Sequence, residues 1–167
     1  MKTLEQQLGN YGLYHRSKRN VLTHFFGIPL IVFAVLCLLG RIEIPLAGYD
    51  INGSHIAVLA SVVYYLMLSF SLGMIMAVIL ALMAWPASLV SQLSVYEWLS
   101  MSIGIFVLGW ILQFIGHYFE GKKPAFVDDI VGLIIGPLYV LAEALFMLGL
   151  YRDLEQKIEV IAGPTKA

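Results

Sequence analysis

The chain has 167 residues, 60% of them apolar and 13% charged, against roughly 45–50% and about 25% in soluble globular domains. Disordered chains, collagen-like repeats and disulfide-stapled secreted scaffolds are excluded, since there is one cysteine, Cys37, and no composition bias of those kinds. Ten Lys and Arg against eleven Asp and Glu give a formal net charge of −1, which excludes an electrostatic nucleic-acid binder. The expected fold class is all-α, a polytopic transmembrane helical bundle of four spans plus a broken or re-entrant fifth apolar segment.

Residues 1–20 read as an interfacial segment, 21–150 as the bundle and 151–167 as a polar tail. The first span is expected over 21–39, since about 20 apolar residues cross a hydrocarbon core roughly 30 Å thick. Residues 56–90 contain no charged side chain, and one helix of that length would reach about 50 Å. The segment must fold back, and 69–73 (Ser-Phe-Ser-Leu-Gly) is the expected turn. Residues 98–115 make the fourth span, with Trp98, Trp110 and Tyr118 as interfacial anchors. In 130–150 a break is expected at Gly136-Pro137, because proline removes a backbone donor and clashes one turn back. That segment is either a kinked span or a re-entrant pair of half-helices. The tail reads as a short charged helix ending at Gly163-Pro164. Basic residues crowd the N-terminal segment (Lys2, Arg16, Lys18, Arg19), the 120–129 loop (Lys122, Lys123) and the tail (Arg152, Lys157, Lys166). The positive-inside rule then puts the N-terminus and the 120–129 loop on the cytoplasmic face.

Three of the four histidines fall in dense polar patterns. Tyr14, His15, Asn20 and His24 precede or open the first span; Gln113, Gly116, His117 and Glu120 close the fourth. Four crossings between them bring both patterns to one membrane face; three would leave them about 30 Å apart. Neutral imidazole is the commonest transition-metal ligand, and a carboxylate can complete the shell or orient a ring. His15, His24 and His117 with Glu120 are therefore a candidate mononuclear site for Fe(II) or Zn(II). The plainer reading makes each histidine an interfacial residue, as is expected of His55 on the opposite face. Lys122 and Lys123 serve as a topology signal or, with Arg16, Lys18 and Arg19, attract an anionic head group. Asp128 and Asp129 suit a helix N-terminus. Glu143, an ionisable group inside an apolar segment, is either functional or a protonated structural carboxyl. There is no phosphate loop, nucleophile elbow, His-Glu-x-x-His or Cys-x-x-Cys.

The two patterns together resemble a family of small membrane proteins whose eukaryotic members are Fe(II)-dependent 2-hydroxy-fatty-acid dioxygenases. The likeness rests on Tyr14-His15, Asn20-Val-Leu-x-His24 and Pro29. It rests equally on Gly109-Trp110-Ile-x-Gln113-Phe-x-Gly116-His117, Phe119-Glu120 and Pro124-Ala125, followed by Asp128 and Glu143. The spacing from His117 to Glu120 is one residue shorter than in the eukaryotic pattern, which bears on Glu120 more than on His117. The resemblance implies that His15, His24 and His117 bind Fe(II), with Glu120 a fourth ligand or a partner that orients one. It implies an enzyme that shortens a 2-hydroxy fatty acid by one carbon with O2, Tyr14 or Asn20 orienting the acid head group and the alkyl chain lying among the spans. Asp128 and Glu143 would support the site from behind. Two rival readings use the same residues: a zinc-dependent lipid hydrolase with Glu120 as general base, and a membrane scaffold or transporter with Glu143 lining its pathway. A bacterial inner membrane and an endoplasmic reticulum both suit the chain.

Overall fold

A computed structural model describes residues 2–46 and 49–165. Among these the chain forms seven α-helices: α1 (Leu4–Gly12), α2 (Lys18–Leu39), α3 (Gly53–Leu68), α4 (Phe70–Ser91), α5 (Val95–Glu120), α6 (Gly132–Met147) and α7 (Arg152–Ala162). The remaining elements are a 3-10 turn at Ala125–Val127 and one hairpin, β1 (Glu43–Leu46) with β2 (Tyr49–Asn52), antiparallel with Glu43 opposite Asn52. The helical class is as expected; the hairpin occupies what reads in sequence as a plain loop. Lys166 and Ala167, the end of the expected tail, lie outside the described residues.

The helices α2, α4 and α5 are long and apolar enough to cross a membrane. At 16 residues α3 rises only about 24 Å, less than the roughly 30 Å of a hydrocarbon core. A stripe on α4, Phe70, Met74, Val78, Leu82, Trp85 and Leu89, is exposed at helical spacing. The same holds on α5 for Val107, Leu108, Ile111, Phe114 and Ile115, while Ser102, Gly109, Gln113, Gly116 and His117 are buried. Polar and small residues inward with apolar residues outward is the reverse of a water-soluble helix, and it suits a lipid surround.

The chain divides into two compact units, Met1–Ile28 with Trp110–Ala167, and Pro29–Gly109. In the second, the expected turn is found: Ser69 is extended (φ −159°, ψ 122°), ends α3 and caps α4 by accepting from the Leu72 amide. A Cβ on Gly73 would lie 2.7 Å from the Leu66 backbone nitrogen, so only glycine lets the hairpin close this tightly. Leu36, Cys37 and Ala87 form the buried centre, packed by Val32, Phe33, Val58, Met83 and Val90. Trp98 donates its indole N–H to the Cys37 carbonyl at 2.7 Å.

In the first unit, a Thr3–Gln6 capping box starts α1. The helices α1, α6 and α7 pack together, with Gly9 against Ile161 and Gly12 against Ala162. The expected break at Gly136-Pro137 does not occur. The helix α6 runs through it, because Pro137 sits early in the helix and costs one hydrogen bond near its start. Gly136 instead serves close packing: a Cβ there would lie 3.0 Å from the Tyr11 hydroxyl and 3.1 Å from Ile28 Cδ1. The real break comes later, where Gly149 (φ 79°) and Tyr151 (φ 56°) are left-handed and α7 turns 120° from α6. Leu154 and Ile158 of α7 are buried, an i, i+4 pair of an amphipathic helix.

Candidate metal centre

The polar ends of α2 and α5 meet in the first unit. A Cβ on Gly116 would fall well inside contact distance of Thr23 Oγ1 and Asn20 Oδ1, and 3.2 Å from His24 Nδ1. Glycine is what allows α5 to lie directly against the Asn20–His24 turn. Gly116→Val is expected to push the helices apart, costing about 1–3 kcal/mol of stability and weakening metal retention; thermal melting and metal content of the purified variant check both.

His15, His24 and His117 are buried, and one ring nitrogen from each lies within 4.8 Å of the others. The rings stand edge to face, with centroids 4.5–5.0 Å apart. His15 donates from Nδ1 to the Tyr11 carbonyl at 2.7 Å, and His24 from Nδ1 to the Asn20 carbonyl at 2.9 Å. A carbonyl only accepts, so both neutral rings carry their proton on Nδ1 and present a lone pair at Nε2. Those two Nε2 atoms are 3.0 Å apart. Facing lone pairs repel unless a cation lies between them. Two donors sharing a cation at about 2.1 Å stand roughly 3–4 Å apart. His117 Nδ1 is buried with no hydrogen-bond partner. Burial, followed by the nearby His24 ring, holds His15 well below its ordinary pKa, in the neutral form that metal ligation needs. Three ring nitrogens within 4.8 Å of one another, two of them presenting lone pairs, fit a transition-metal ion.

Glu120 lies outside this cluster. Its Oε2 accepts from the Arg16 amide (3.0 Å), the Ser17 amide (2.7 Å) and Asn20 Nδ2 (3.1 Å). A carboxylate on the amides that lead into α2 braces the turn, so Glu120 holds the segment between His15 and His24. Asn20 completes the brace. Its Nδ2 also donates to the Tyr14 carbonyl at 3.0 Å, while its own carbonyl orients His24.

Arg16 departs from the expectation of a head-group cation. It is 4% exposed because its donors are spent internally. Nε faces the Gly12 and His15 carbonyls, Nη1 donates to the Gly163 carbonyl, and Nη2 reaches the Tyr139 hydroxyl and Glu143 Oε1, the last at 3.4 Å. Glu143 is thus the counter-ion of Arg16. The other expected cations, Lys18, Arg19, Lys122 and Lys123, are at the surface, the last three with partners. Arg19 lies over the Phe119 ring, Lys122 donates to the Leu13 carbonyl, and Lys123 pairs with Asp128 at 2.6 Å. Asp128 also accepts from the Tyr14 hydroxyl at 2.6 Å. Asp129 does not cap α6, whose N-cap Val131 has no side-chain cap bond; it accepts from the Val131 amide in the turn before the helix and pairs with Lys2.

Three residues carry roles the sequence reading did not assign. Tyr11 stacks on His15 at 4.1 Å between centroids, nearly parallel; its i, i+4 spacing on a helical stretch is the signal that could have found it. Tyr139 donates to the His15 carbonyl at 3.1 Å, a contact across 124 residues that spacing could not indicate. Gln113, one turn before His117, is 6% exposed and its Nε2 has no partner. A cavity of about 210 Å3 is lined by Tyr11, Tyr14 and Asp128, so one ring separates it from His15.

The sequence matches the family described as "2-hydroxy-palmitic acid dioxygenase Mpo1-like" over residues 1–148. It is 32% identical over 158 residues to the protein named 2-hydroxy-palmitic acid dioxygenase MPO1 of Saccharomyces cerevisiae, covering 93% of this chain and 87% of that protein. No solved structure matches.

Proposed function

Since the chain belongs to the Mpo1-like family, we propose that it is a membrane dioxygenase that shortens 2-hydroxy fatty acids by one carbon, using Fe(II) held by His15, His24 and His117. The observation that carries the metal reading is the pair of Nε2 lone pairs 3.0 Å apart beside the orphaned Nδ1 of His117. Divalent iron bound there would supply the one-electron chemistry that O2 needs to react with a closed-shell substrate.

The protein's own groups set what can bind. All three ligands are neutral and Glu120 is committed elsewhere, so the site offers a dication no protein counter-charge. A 2-hydroxy carboxylate supplies that charge and, with its hydroxyl, a second oxygen donor. The overall change balances as R–CH(OH)–COOH + O2 → R–COOH + CO2 + H2O. The acid loses four electrons and O2 takes them, so no further reductant is needed. The alkyl chain gains about 0.8 kcal/mol per CH2 moved out of water, which suits apolar helices in a membrane. The domain division, with residues 1–20 as interfacial segment, 21–150 as spanning region and 151–167 as tail, and the cytoplasmic location of the site belong to the same proposal. The hydrolase reading is less favoured, because Glu120 lies outside the histidine cluster and its Oε2 is held by three donors.

Protein purified in detergent and loaded anaerobically with Fe(II) is expected to consume one O2 per 2-hydroxypalmitate, yielding the C15 acid and CO2. A chelator should stop uptake and Fe(II), not Zn(II), restore it. Turnover of lipid by the zinc form without O2 would overturn the proposal.

A further inference from the structure

Four buried side-chain atoms lack a hydrogen-bond partner among the described residues: Asn20 Oδ1, Ser102 Oγ, Gln113 Nε2 and His117 Nδ1. Such atoms are rare in folded proteins, and each asks for a reason. His117 Nδ1 belongs to the histidine cluster of the proposed metal centre. Asn20 Oδ1 is packed against Gly116, filling the space a Cβ would take. Ser102 lies in the other compact unit. Gln113 remains.

Its position is specific. Gln113 and His117 are i and i+4 on α5 and share a face. Both belong to the buried face that carries Gly116 against His24. His117 is three residues from the polar end of α5, so Gln113 lies one turn, about 6 Å, farther toward the apolar middle. A fatty acid whose carboxylate meets the metal has its chain directed away from the polar end. C2 and its substituents therefore face the Gln113 side. The amide is uncharged and both donates and accepts, which matches a hydroxyl and not a carboxylate, for which an Arg or Lys would be the buried partner.

We infer that Gln113 is the specificity-determining residue that recognises the 2-hydroxyl of the substrate, given the proposed activity. Its amide nitrogen stays without a partner until a hydroxylated acid arrives, and an unsubstituted acid leaves it unpaired. Sites that hydrogen-bond a substrate hydroxyl discriminate strongly against the analogue lacking it, for this reason.

The test compares binding of 2-hydroxypalmitate and palmitate to Fe(II)-loaded protein without O2, by calorimetry in detergent, for wild type and Gln113→Leu. The leucine removes an unpartnered buried amide nitrogen at similar volume, so the melting temperature is expected to hold or rise and iron content to stay unchanged. Affinity for 2-hydroxypalmitate should fall about 10- to 100-fold while affinity for palmitate is unaltered. Equal weakening of both acids, or unchanged preference, would overturn the assignment. So would a lower melting temperature with loss of iron, which marks a structural amide. A wild-type protein with no preference for the hydroxylated acid would instead count against the proposed activity.

Discussion

His24→Ala is expected to abolish iron binding and O2 uptake while leaving the chain folded. His24 is 2% exposed and faces both other rings, with its Nε2 3.0 Å from that of His15. Loss of an outer partner of a ligand already costs about 10–100-fold in metal affinity, and loss of the donor itself should exceed that. The truncation also removes one of two facing lone pairs, so the metal-free protein should not be greatly destabilised by it. Iron per chain after desalting, with oxygen-electrode traces, measures the effect. His15→Ala and His117→Ala should behave alike, and His55→Ala, at an exposed position in the other unit, should match wild type. Stoichiometric iron and normal uptake in His24→Ala would refute the centre.

Glu143→Leu is expected to give the largest loss of stability. It strands Arg16, whose side chain is 5% exposed against 13% for Glu143. Removing one member of a buried ion pair typically costs about 3–5 kcal/mol, because the other charge is left without compensation. The damage should reach the metal centre, since Arg16 also holds the His15 and Gly163 carbonyls. Melting in detergent should show a large drop, with iron affinity falling alongside. Arg16→Leu combined with Glu143→Leu should cost less than the two single changes added together. Strict additivity would mean the pair contributes nothing as a pair.

The membrane character and most of the site were open to sequence reading, because both depend on short-range patterns. A charge-free run of 35 residues has to turn back, and Ser69 with Gly73 marks where. His15, His24 and His117 stand out because imidazoles gathered at one end of apolar helices make a metal-ligand pattern, and helical spacing puts Asn20 with His24 on one face. The misreadings concern residues whose meaning depends on distant partners. Gly136-Pro137 has the local chemistry of a break, yet Gly136 makes room for Tyr11 while the chain bends at Gly149 and Tyr151. Arg16 sits in a basic cluster and looks like its neighbours, yet only it is buried.

The apolar content of the helices and the three candidate ligand histidines were determined by the sequence itself, since hydrophobic runs and imidazole chemistry are properties of residues and their spacing. The tertiary structure decided the division of labour among the carboxylates and cations. Glu120 braces the loop, Glu143 neutralises Arg16, and Asp128 ties down Tyr14. An ionised group takes its role from whichever opposite charge or free amide lies within about 3 Å, and here those partners come from more than 100 residues away in the chain.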